Sequence, residues 1–407
     1  MDQLPLFKEH HLQRLRVIER ALSDLSVAEA AAMLDLSRRQ VFRLKAAVRA
    51  SGPCGIIHGN TGRPSAIAKP PALHDHVIEL YRNEFFDYNA THFTEALNEE
   101  YGILIGYSTV LRWLRAADIS LRQHRANVCH RCRRERRARF GEWLFLDGSP
   151  HHWLGLTRPK VTLILATDDA TGRPLYGGFF PQETLAGCFE VLYHVFRHHG
   201  LPGTLYLDKA GQFTTTRHGG TCRFQRDDKP THFELAMRAL AVQIIFADSP
   251  QARGRGERIN GTFQGRLVAE LRRNGITELG PATVYLNDTF IPDIARRFGV
   301  KPRDPRPAFR NLPEHVDLRT VLCARATREV SNDNTISYGA QEYQLLPIRR
   351  STCIAGSQVQ VQEWFDGSVH VFHHRTGELV THRLPAALQR PRRSSTRPGD
   401  IFTGVSL

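Results

Sequence analysis

The sequence predicts a multidomain α+β protein, with all-α domains in the N-terminal third, a central α/β core and a small β-barrel near the C-terminus. At 407 residues the chain is longer than one ordinary domain, and its 41% apolar residues suffice for real cores. Apolar spacing is helical up to about residue 120, mixed between about 140 and 275, and alternating beyond residue 328.

The charge of the chain indicates a polyanionic partner. Lys and Arg outnumber Asp and Glu by 55 to 41, the formal net charge is +14 at pH 7, and the isoelectric point is near 9.8. Such a basic chain is more typical of a protein that binds nucleic acid than of one that binds a membrane surface. The alternative is that the charge serves solubility alone.

The sequence shows no targeting or membrane-spanning segment. Its apolar runs stay short of the roughly 18 residues that cross a bilayer, and residues 1–10 lack a signal-peptide core. The seven cysteines are scattered and odd in number, unlike a disulfide framework. We therefore expect a cytoplasmic protein with reduced thiols and no membrane partner.

Residues 1–60 are predicted to form a helical domain. Residues 10–22 have the apolar spacing of an amphipathic helix. Ser26, with Glu29 three residues later, forms a capping box for the next helix, and Ser37 caps a third helix after a short turn. A short helix, a tight turn and a second helix predict a helix-turn-helix.

The helix after Ser37 carries side chains that suit DNA. Arginine and glutamine reach phosphates and base edges in a major groove. The predicted contacts on this helix are Arg38, Arg39, Gln40 and Arg43. The alternative is a helical hairpin with a solvated basic face, but the position of this unit in a basic chain favours DNA binding.

Residues 61–121 are predicted to form a second helix-turn-helix-like domain. A Gly- and Pro-rich linker at residues 58–72 separates it from the first. We expect its last helix to begin with Ser108 as the N-cap and to expose Arg112 and Arg115. Arg112 is a predicted DNA contact.

A basic linker is predicted at residues 122–140. Its eight arginines and near absence of apolar residues rule out a core, so we expect it to lie along a phosphate backbone, with Arg133 and Arg134 as contacts. Cys129 and Cys132 form a CxxC motif, which is half of a zinc site. Because no histidine has a spacing that completes it, free thiols are the favoured interpretation and zinc is the alternative.

Residues 141–310 are predicted to form an α/β core with a helical extension. Between residues 143 and 271 the periodicity predicts the order β-β-β-α-β-α-β-α. A right-handed crossover returns the fourth strand beside the first. Asp147 ends the first strand and Asp208 ends the fourth, so we expect both on adjacent strands, with Glu257 at the start of the last helix.

Three ionised acids in one dry cleft would repel one another, and a divalent cation removes that conflict. Magnesium takes oxygen ligands and uses one or two protein carboxylates per ion, with substrate phosphates completing the octahedron. Two such ions about 4 Å apart serve the attacking and leaving oxygens of an in-line phosphoryl transfer. We therefore predict that Asp147, Asp208 and Glu257 are catalytic residues and metal ligands.

Each acid also has a structural interpretation. Singly, Asp147 is explained by capping of the following turn, Asp208 by pairing with a neighbouring cation, and Glu257 by a surface ion pair. Taken together, with spacings of 61 residues (147 to 208) and 49 residues (208 to 257), a shared metal site is favoured. The cations expected to contact DNA phosphates around this site are Lys209, Arg253, Arg255 and Arg258.

Alternating apolar residues predict a small β-barrel at residues 328–385. Asp366-Gly367 between two alternating runs is a hairpin signal. Residues 386–407 are predicted to be a disordered basic tail, because Arg, Ser and Pro dominate residues 386–398.

The central motifs resemble a known family. Asp147, Asp208 and Glu257 match the Asp-Asp-Glu triad of ribonuclease H-like transposases and integrases, and the whole chain resembles the insertion-sequence transposases of the ISNCY group from about residue 20 to 383. The matching segments are GEW at 141–143, DGSPH at 147–151, DDAT at 168–171, DK at 208–209, ADSPQA at 247–252 and ERINGT at 257–262. The departures, none at a carboxylate, are His152 for an acid, Gly256 for a valine, and a different short run at Ala210-Gly211-Gln212.

The resemblance implies a ribonuclease H-like core and a transposase that binds the terminal inverted repeats of its own element, then cuts and joins DNA. It implies two Mg²⁺ ions, with Mn²⁺ as a replacement, and a homo-multimer that bridges two ends. Its partners would be double-stranded element ends and target DNA at the bacterial nucleoid. The barrel resembles the one that follows the catalytic core in Mu-type transposases. The chain has no GxxxxGK[ST] motif, so we expect no nucleotide cofactor.

Two other functions stay open at this point. One is a non-catalytic, sequence-specific DNA-binding protein, such as a repressor or a decayed transposase. The other is a ribonuclease H-like nuclease that cuts without joining. Substitution of Asp147 discriminates the first, because only catalysis needs this acid, and the presence of joined product discriminates the second.

Overall fold

The computed structural model describes residues 8–58, 60–61, 69–119, 135–207, 216–217, 225–226, 230–246, 254–346 and 354–385, and describes the backbone alone at 216–217, 225–226, 254–255 and 257. Contacts divide the chain into two compact units, Met1–Val77 and Ile78–Leu407. Among the described helices, none has the length and apolar character needed to cross a bilayer. The described cysteines Cys54, Cys188 and Cys323 are free thiols.

The N-terminal unit contains three helices, α1 (Glu9–Ser23), α2 (Val27–Leu34) and α3 (Arg38–Ser51), followed by a 3-10 turn at Gly52–Ile56. Side chains from all three helices form one core, in which Ile18 is fully buried. The order of the helices and the short connection between α2 and α3 are those of the predicted helix-turn-helix.

Local hydrogen bonds explain where α2 and α3 begin. Ser26 Oγ accepts a bond from the Glu29 backbone N–H, and Glu29 returns a bond to the Ser26 backbone. The same reciprocal pattern joins Ser37 and Gln40 at the start of α3. Between the helices Asp35 adopts the left-handed conformation, with φ 51°. Both predicted capping residues are confirmed.

Three further helices follow, α4 (Pro71–Asn83), α5 (Ala90–Glu99) and α6 (Tyr107–Ala116). The prediction that Ser108 caps α6 is wrong, because the N-cap is Gly106 and Ser108 lies in the first turn. Gly106 adopts the extended conformation of an N-cap, φ −80° and ψ 150°, without a side-chain bond.

A sheet of five strands forms the centre of the second unit. Its strands are β1 (Trp143–His151), β2 (Val161–Asp168), β3 (Pro174–Phe180), β4 (Thr204–Leu207) and β7 (Gln243–Phe246), in the order β3-β2-β1-β4-β7. The first three strands form an antiparallel meander, whereas β4 and β7 run parallel to β1. The predicted position of the fourth strand beside the first is confirmed. Two short strands, β5 (Thr216–Arg217) and β6 (Gln225–Arg226), pair within the segment predicted as a loop.

Strand β1 is longer than predicted. The sequence places its end at Asp147, but β1 continues along β2 as far as the pairs Pro150↔Thr162 and His151↔Val161. The described pairing of β1 with β4 covers only Trp143 to Phe145. Pro150 is tolerated because it stands beyond that pairing, at an edge where its missing N–H is not needed.

Helices cover both faces of the sheet. On one face α7 (Leu185–His199) and α8 (His232–Ala239) pack against Leu144 and Leu146 of β1. The other face carries α9 (Gly254–Gln264), α10 (Leu267–Arg273), α11 (Leu279–Tyr285) and α12 (Ile291–Phe298), with a π-helical turn at Leu286–Phe290 before α12. The fold class predicted for the core is confirmed.

The single last helix predicted for the core is wrong, because the chain breaks between α9 and α10. Arg266 leaves the helical conformation, with φ −131° and ψ −50°. Its guanidinium donates two hydrogen bonds, of 2.5 and 3.2 Å, to the carboxylate of Glu95 on α5. The apolar spacing alone cannot reveal this break, because it depends on an acid 171 residues away.

Helix α5 and its flanks are fastened to the core helices by charged pairs within the second unit. Arg272 pairs with Asp87, Arg273 with Glu100, and His92 with Glu270. Burial alone would raise the pKa of Glu270, but the hydrogen bond and charge of His92 and the hydrogen bond from Tyr285 outweigh it and lower that pKa.

The C-terminal part contains a short helix, α13 (Leu318–Val321), and six antiparallel strands. The strands are β8 (Cys323–Glu329), β9 (Thr335–Tyr338), β10 (Gln341–Leu346), β11 (Gln358–Trp364), β12 (Val369–His373) and β13 (Gly377–Arg383). Their order β8-β11-β12-β13-β10-β9 nearly closes into a barrel, with Val361 and Val371 in its core. Gly367, with φ 79°, lies in the predicted hairpin turn between β11 and β12. The predicted tail at 386–407 lies outside the described residues.

Candidate active site on strand β1

Asp147 lies on the face of the sheet that α9 covers. Side chains alternate along a strand, so Asp147 shares its face with Phe145, whereas Leu144 and Leu146 point into the opposite core. Asp147 is half-buried. A carboxylate in this position is accessible from the surface and has strand backbone on one side and a helix on the other.

Helix α9 is in direct contact with this carboxylate. Asn260 Nδ2 donates a hydrogen bond of 2.8 Å to Asp147 Oδ2. One turn earlier lies Gly256, where a Cβ atom would stand only 3.3 Å from the same oxygen. One turn later Gln264 Nε2 donates a 3.1 Å bond to Ser149 Oγ. One face of α9 therefore runs along β1 from Asp147 to Ser149.

Sequence reasoning missed this face of α9. Gly256, Asn260 and Gln264 are spaced four residues apart, which places a glycine and two amides on one side of the helix. That spacing was the available signal. Their partners on β1 are more than 100 residues away along the chain, so the sequence alone gave no reason to choose them.

The structure describes only part of the predicted metal set. Asp208 lies outside the described residues, directly after the last residue of β4, Leu207. For Glu257 the backbone is described, in the first turn of α9. Among the described side chains, no group of three or more His, Cys, Asp or Glu is arranged to hold a metal ion.

A second acid lies close to the site. A Cβ atom at Gly148, the residue after Asp147, would stand 2.3 Å from Oε2 of Glu183. The carboxylate of Glu183 therefore packs directly against the Gly148 backbone, which only glycine permits without a shift of that side chain. The resemblance includes Gly148 but gives no role to Glu183.

Asp168 and Asp169 serve the fold, as the sequence indicates by placing them at a turn. Asp168 is fully buried and accepts bonds from the backbone N–H groups of Gly141 and Thr171 and from the Thr171 hydroxyl. Burial raises its pKa although these donors oppose the shift. Asp169 accepts a bond from the Arg137 backbone. Both acids tie residues 137–141 to the end of β2.

The predicted DNA contacts that the structure describes are all exposed. They are Arg38, Arg39, Gln40 and Arg43 on α3, Arg112 on α6, and Arg258 on α9. The amide oxygen of Gln40 accepts a 2.9 Å bond from the Ser37 backbone, so the cap already uses part of this side chain. Arg255 is described by its backbone alone, and Lys209, Arg253, Arg133 and Arg134, with Cys129 and Cys132, lie outside the described residues.

Known proteins match both units of the chain. Residues 11–57 match the family described as a homeodomain-like domain, which spans α1 to α3. The chain is 30% identical over 365 residues to the protein y4bF of Sinorhizobium fredii, which carries the name transposase, and the match covers 89% of this chain and 79% of that one. The chain belongs to this transposase family.

A further relative of this transposase-family chain is the transposase for insertion sequence IS1202 of Streptococcus pneumoniae. It is 29% identical over 394 residues, and the match covers 86% of this chain and 82% of that one. Both relatives align with the helical N-terminal part as well as with the core, because each match covers most of the chain.

Solved structures include two weaker likenesses. One is the simian T-cell lymphotropic virus intasome in complex with the PP2A regulatory subunit B56 gamma, at 15% identity and a TM-score of 0.33, covering 68% of this chain and 94% of that one. The other is the HTLV-2 integrase catalytic core domain in complex with magnesium, at 14% identity and a TM-score of 0.28, covering 38% and 91%. The fold described above rests on the strand order of this chain and not on these likenesses.

Proposed function

We propose that this chain cuts DNA at the ends of its own element and joins them to target DNA, through metal-dependent phosphoryl transfer at Asp147, Asp208 and Glu257. The observation that carries this proposal is the arrangement of β1, β4 and α9 around Asp147. Membership of the transposase family supports the coarser role, and the arrangement of the three elements supports the finer one.

The register of the sheet favours a meeting of the two aspartates. Parallel β1 and β4 pair Trp143 with Thr204, Leu144 with Leu205, and Phe145 with Tyr206, an offset of 61 residues (206 minus 145). Asp147 and Asp208 are also 61 residues apart (208 minus 147). Continuation of the same register by two residues would set one aspartate directly beside the other.

Helix α9 supports the inclusion of Glu257. Gly256 lies against the Asp147 carboxylate, and Glu257 is the next residue in the same helical turn. A helix advances about 1.5 Å per residue, so the Cα atom of Glu257 is close to that of Gly256. A glutamate side chain is long enough to bridge the remaining gap to an ion held by Asp147.

The donor chemistry fits magnesium. The three proposed ligands are carboxylates, and the Asn260 amide orients one oxygen of Asp147. Hard oxygen donors suit Mg²⁺, and Mn²⁺ accepts the same set. When bound, two such ions would lower the pKa of an attacking water or hydroxyl and stabilise the leaving oxygen. Asp147 would hold its ion in place because Asn260 and the β1 backbone restrict its carboxylate.

The DNA-binding part of the proposal rests on α3 and on the exposed cations. Helix α3 belongs to a homeodomain-like domain, and it exposes three arginines to solvent, which suits a major groove. We propose that it reads the terminal inverted repeats, with Arg112 and Arg258 near the backbone, and that the protein acts as a homo-multimer on two ends.

A joining assay tests the proposal. Full-length protein is mixed with Mg²⁺, a labelled duplex that carries the element end, and a target plasmid. We expect Asp147→Asn, Asp208→Asn and Glu257→Gln each to lower joining at least about a hundredfold, equivalent to about 2.7 kcal/mol of lost transition-state stabilisation, while end binding persists. Asp288→Asn, an exposed acid on the π-helical turn, is the matched control and should join normally.

The outcomes separate the rival functions. Joining by Asp147→Asn at the wild-type level would remove the proposed site. End binding without any joining, by wild type and variants alike, would favour a non-catalytic DNA-binding protein. Release of 3′-ends without joined product would favour a nuclease.

A further inference from the structure

A cavity of about 230 Å³ lies under α9, beside the candidate active site. Strands β1 and β2 form its floor, and α9 and α12 form its walls. It offers room for roughly eight water molecules, at about 30 Å³ each, which is enough for one planar heterocycle. Its lining residues include Phe145, Arg258, Ile259, Thr262, Phe263 and Phe298.

The lining combines aromatic faces with cations. Phe145 and Phe263 are buried in the interior, whereas Phe298 at the wall is 45% exposed. Arg136 and Arg258 also line the cavity. Arg258 is exposed and forms no salt bridge with any described side chain, so its charge is available to a ligand. The acids of the cavity, Asp168 and Asp169, are already engaged by backbone donors.

The cavity lies within a few nucleotides of the proposed reaction centre. Phe145 is two residues from Asp147 on the same strand face, about 7 Å away. Thr262 is six residues along α9 from Gly256, which lies against Asp147, so the separation along the helix is about 9 Å. Stacked nucleotides of one strand are about 3.4 Å apart. The cavity is therefore near roughly the first three nucleotides beside the scissile phosphate.

We propose that this cavity receives one nucleobase that is unstacked from the bound element end. The inference rests on the proposed function, because it assumes DNA at Asp147. Aromatic walls accept the face of any base, and Arg258 would contact the adjoining phosphate. Enzymes that act on duplex DNA commonly extrude a nucleotide into such a pocket. Extrusion would fix the strand beside the carboxylates and open the duplex at the end.

Thr262→Trp tests the proposal, because a large side chain at the half-exposed position 262 would fill the cavity. Val284→Trp on α11 is the matched control, since Val284 is 59% exposed and does not line this cavity. The affinity of each full-length protein is measured for intact end duplexes and for duplexes with one abasic nucleotide at successive positions. Joining is measured in parallel.

We expect Thr262→Trp to bind intact ends at least about tenfold more weakly than Val284→Trp. One abasic position near the scissile phosphate should restore its affinity, because the filled cavity then has no base to exclude. Equal binding of intact ends by both variants, or weak binding that no abasic position restores, would overturn the proposal. A wild-type protein that binds but joins nothing instead counts against the proposed function, which keeps the two failures apart.

A second variant covers misfolding of the first. Phe298→Ala removes the exposed aromatic wall and leaves the buried floor intact. It should weaken binding of intact ends but match wild type on the duplex with the critical abasic position. Equal weakening on both duplexes would overturn the proposal, because the lost contact would then not involve a base.

Discussion

Gly256 and Gly261 lie on the same helix but have different surroundings. A Cβ atom at Gly256 would stand 3.3 Å from Asp147 Oδ2, whereas one at Gly261 would have nothing within 4 Å. Glycine in a helix interior is less favourable than alanine by roughly 0.5–1 kcal/mol. At Gly261 an alanine changes helix propensity alone, but at Gly256 it also crowds the carboxylate. The glycine that departs from the family pattern is thus the one in contact with the proposed ligand.

Alanine at these two positions should separate stability from activity. We expect Gly261→Ala to raise the free energy of unfolding by about 0.5–1 kcal/mol and to join DNA at the wild-type level. Gly256→Ala should unfold no earlier than wild type, yet join about tenfold less or worse, because a small displacement of a catalytic group is costly. Urea denaturation and the joining assay measure the two quantities. Undiminished joining by Gly256→Ala would show that Asp147 tolerates the crowding.

At the scale of elements, the contact of α5 with the core helices depends on buried charge. Arg266 is 7% exposed, and its guanidinium forks the Glu95 carboxylate. Arg297 also contacts Glu95, at 3.3 Å. Removal of one partner from a buried pair leaves an uncompensated charge, which costs far more than the loss of an exposed pair.

Glu95→Ala should therefore destabilise the second unit by about 3 kcal/mol, toward the lower end of the range for broken buried pairs because Arg297 keeps Asp293 as a partner. The control is Arg303→Ala, whose pair with Glu135 has side chains 67% and 86% exposed and should matter by less than about 1 kcal/mol. Chemical denaturation of both variants gives the comparison. A loss below about 1 kcal/mol for Glu95→Ala would mean that apolar packing alone holds α5 in place.

The elements that the sequence predicted well are those with local causes. Ser26 and Ser37 find their partners three residues away, so the starts of α2 and α3 were predictable. The extension of β1 past Gly148 depends instead on pairing with β2, and the break at Arg266 depends on Glu95. Sequence periodicity contains no information on such distant partners, and these were the elements whose bounds were wrong.

At the scale of the whole molecule, topology was the part of the site that sequence could predict. The expectation that the fourth strand returns beside the first followed from the handedness of crossovers, and it is confirmed by the pairing of β1 with β4. The bond between Asn260 and Asp147 joins residues 113 positions apart and was not predictable. Convergence of Asp147 with Asp208 and Glu257 stays a prediction for the joining assay to decide.

Helix α6 and strand β1 belong to the same compact unit, which the charged pairs of α5 help to hold together. If α6 contacts the element end, the distance from its DNA segment to the scissile phosphate should therefore be fixed. Footprints of wild type and of the double variant Arg112→Ala, Arg115→Ala would identify that segment. Loss of the two arginines should also lower the slope of log affinity against log salt by about 0.9 per phosphate contact.

Insertions between that segment and the cleavage site then measure the rigidity of the unit. An insertion of about 5 base pairs rotates the segment by half a turn, and one of about 10 base pairs restores its face but moves it by roughly 34 Å. A rigid unit should lose joining with both insertions, because neither restores both the face and the distance. Insertions of the same length beyond the footprint are the control and should leave joining unchanged. Recovery of joining at the full turn would show instead that α6 moves independently of the sheet that carries Asp147.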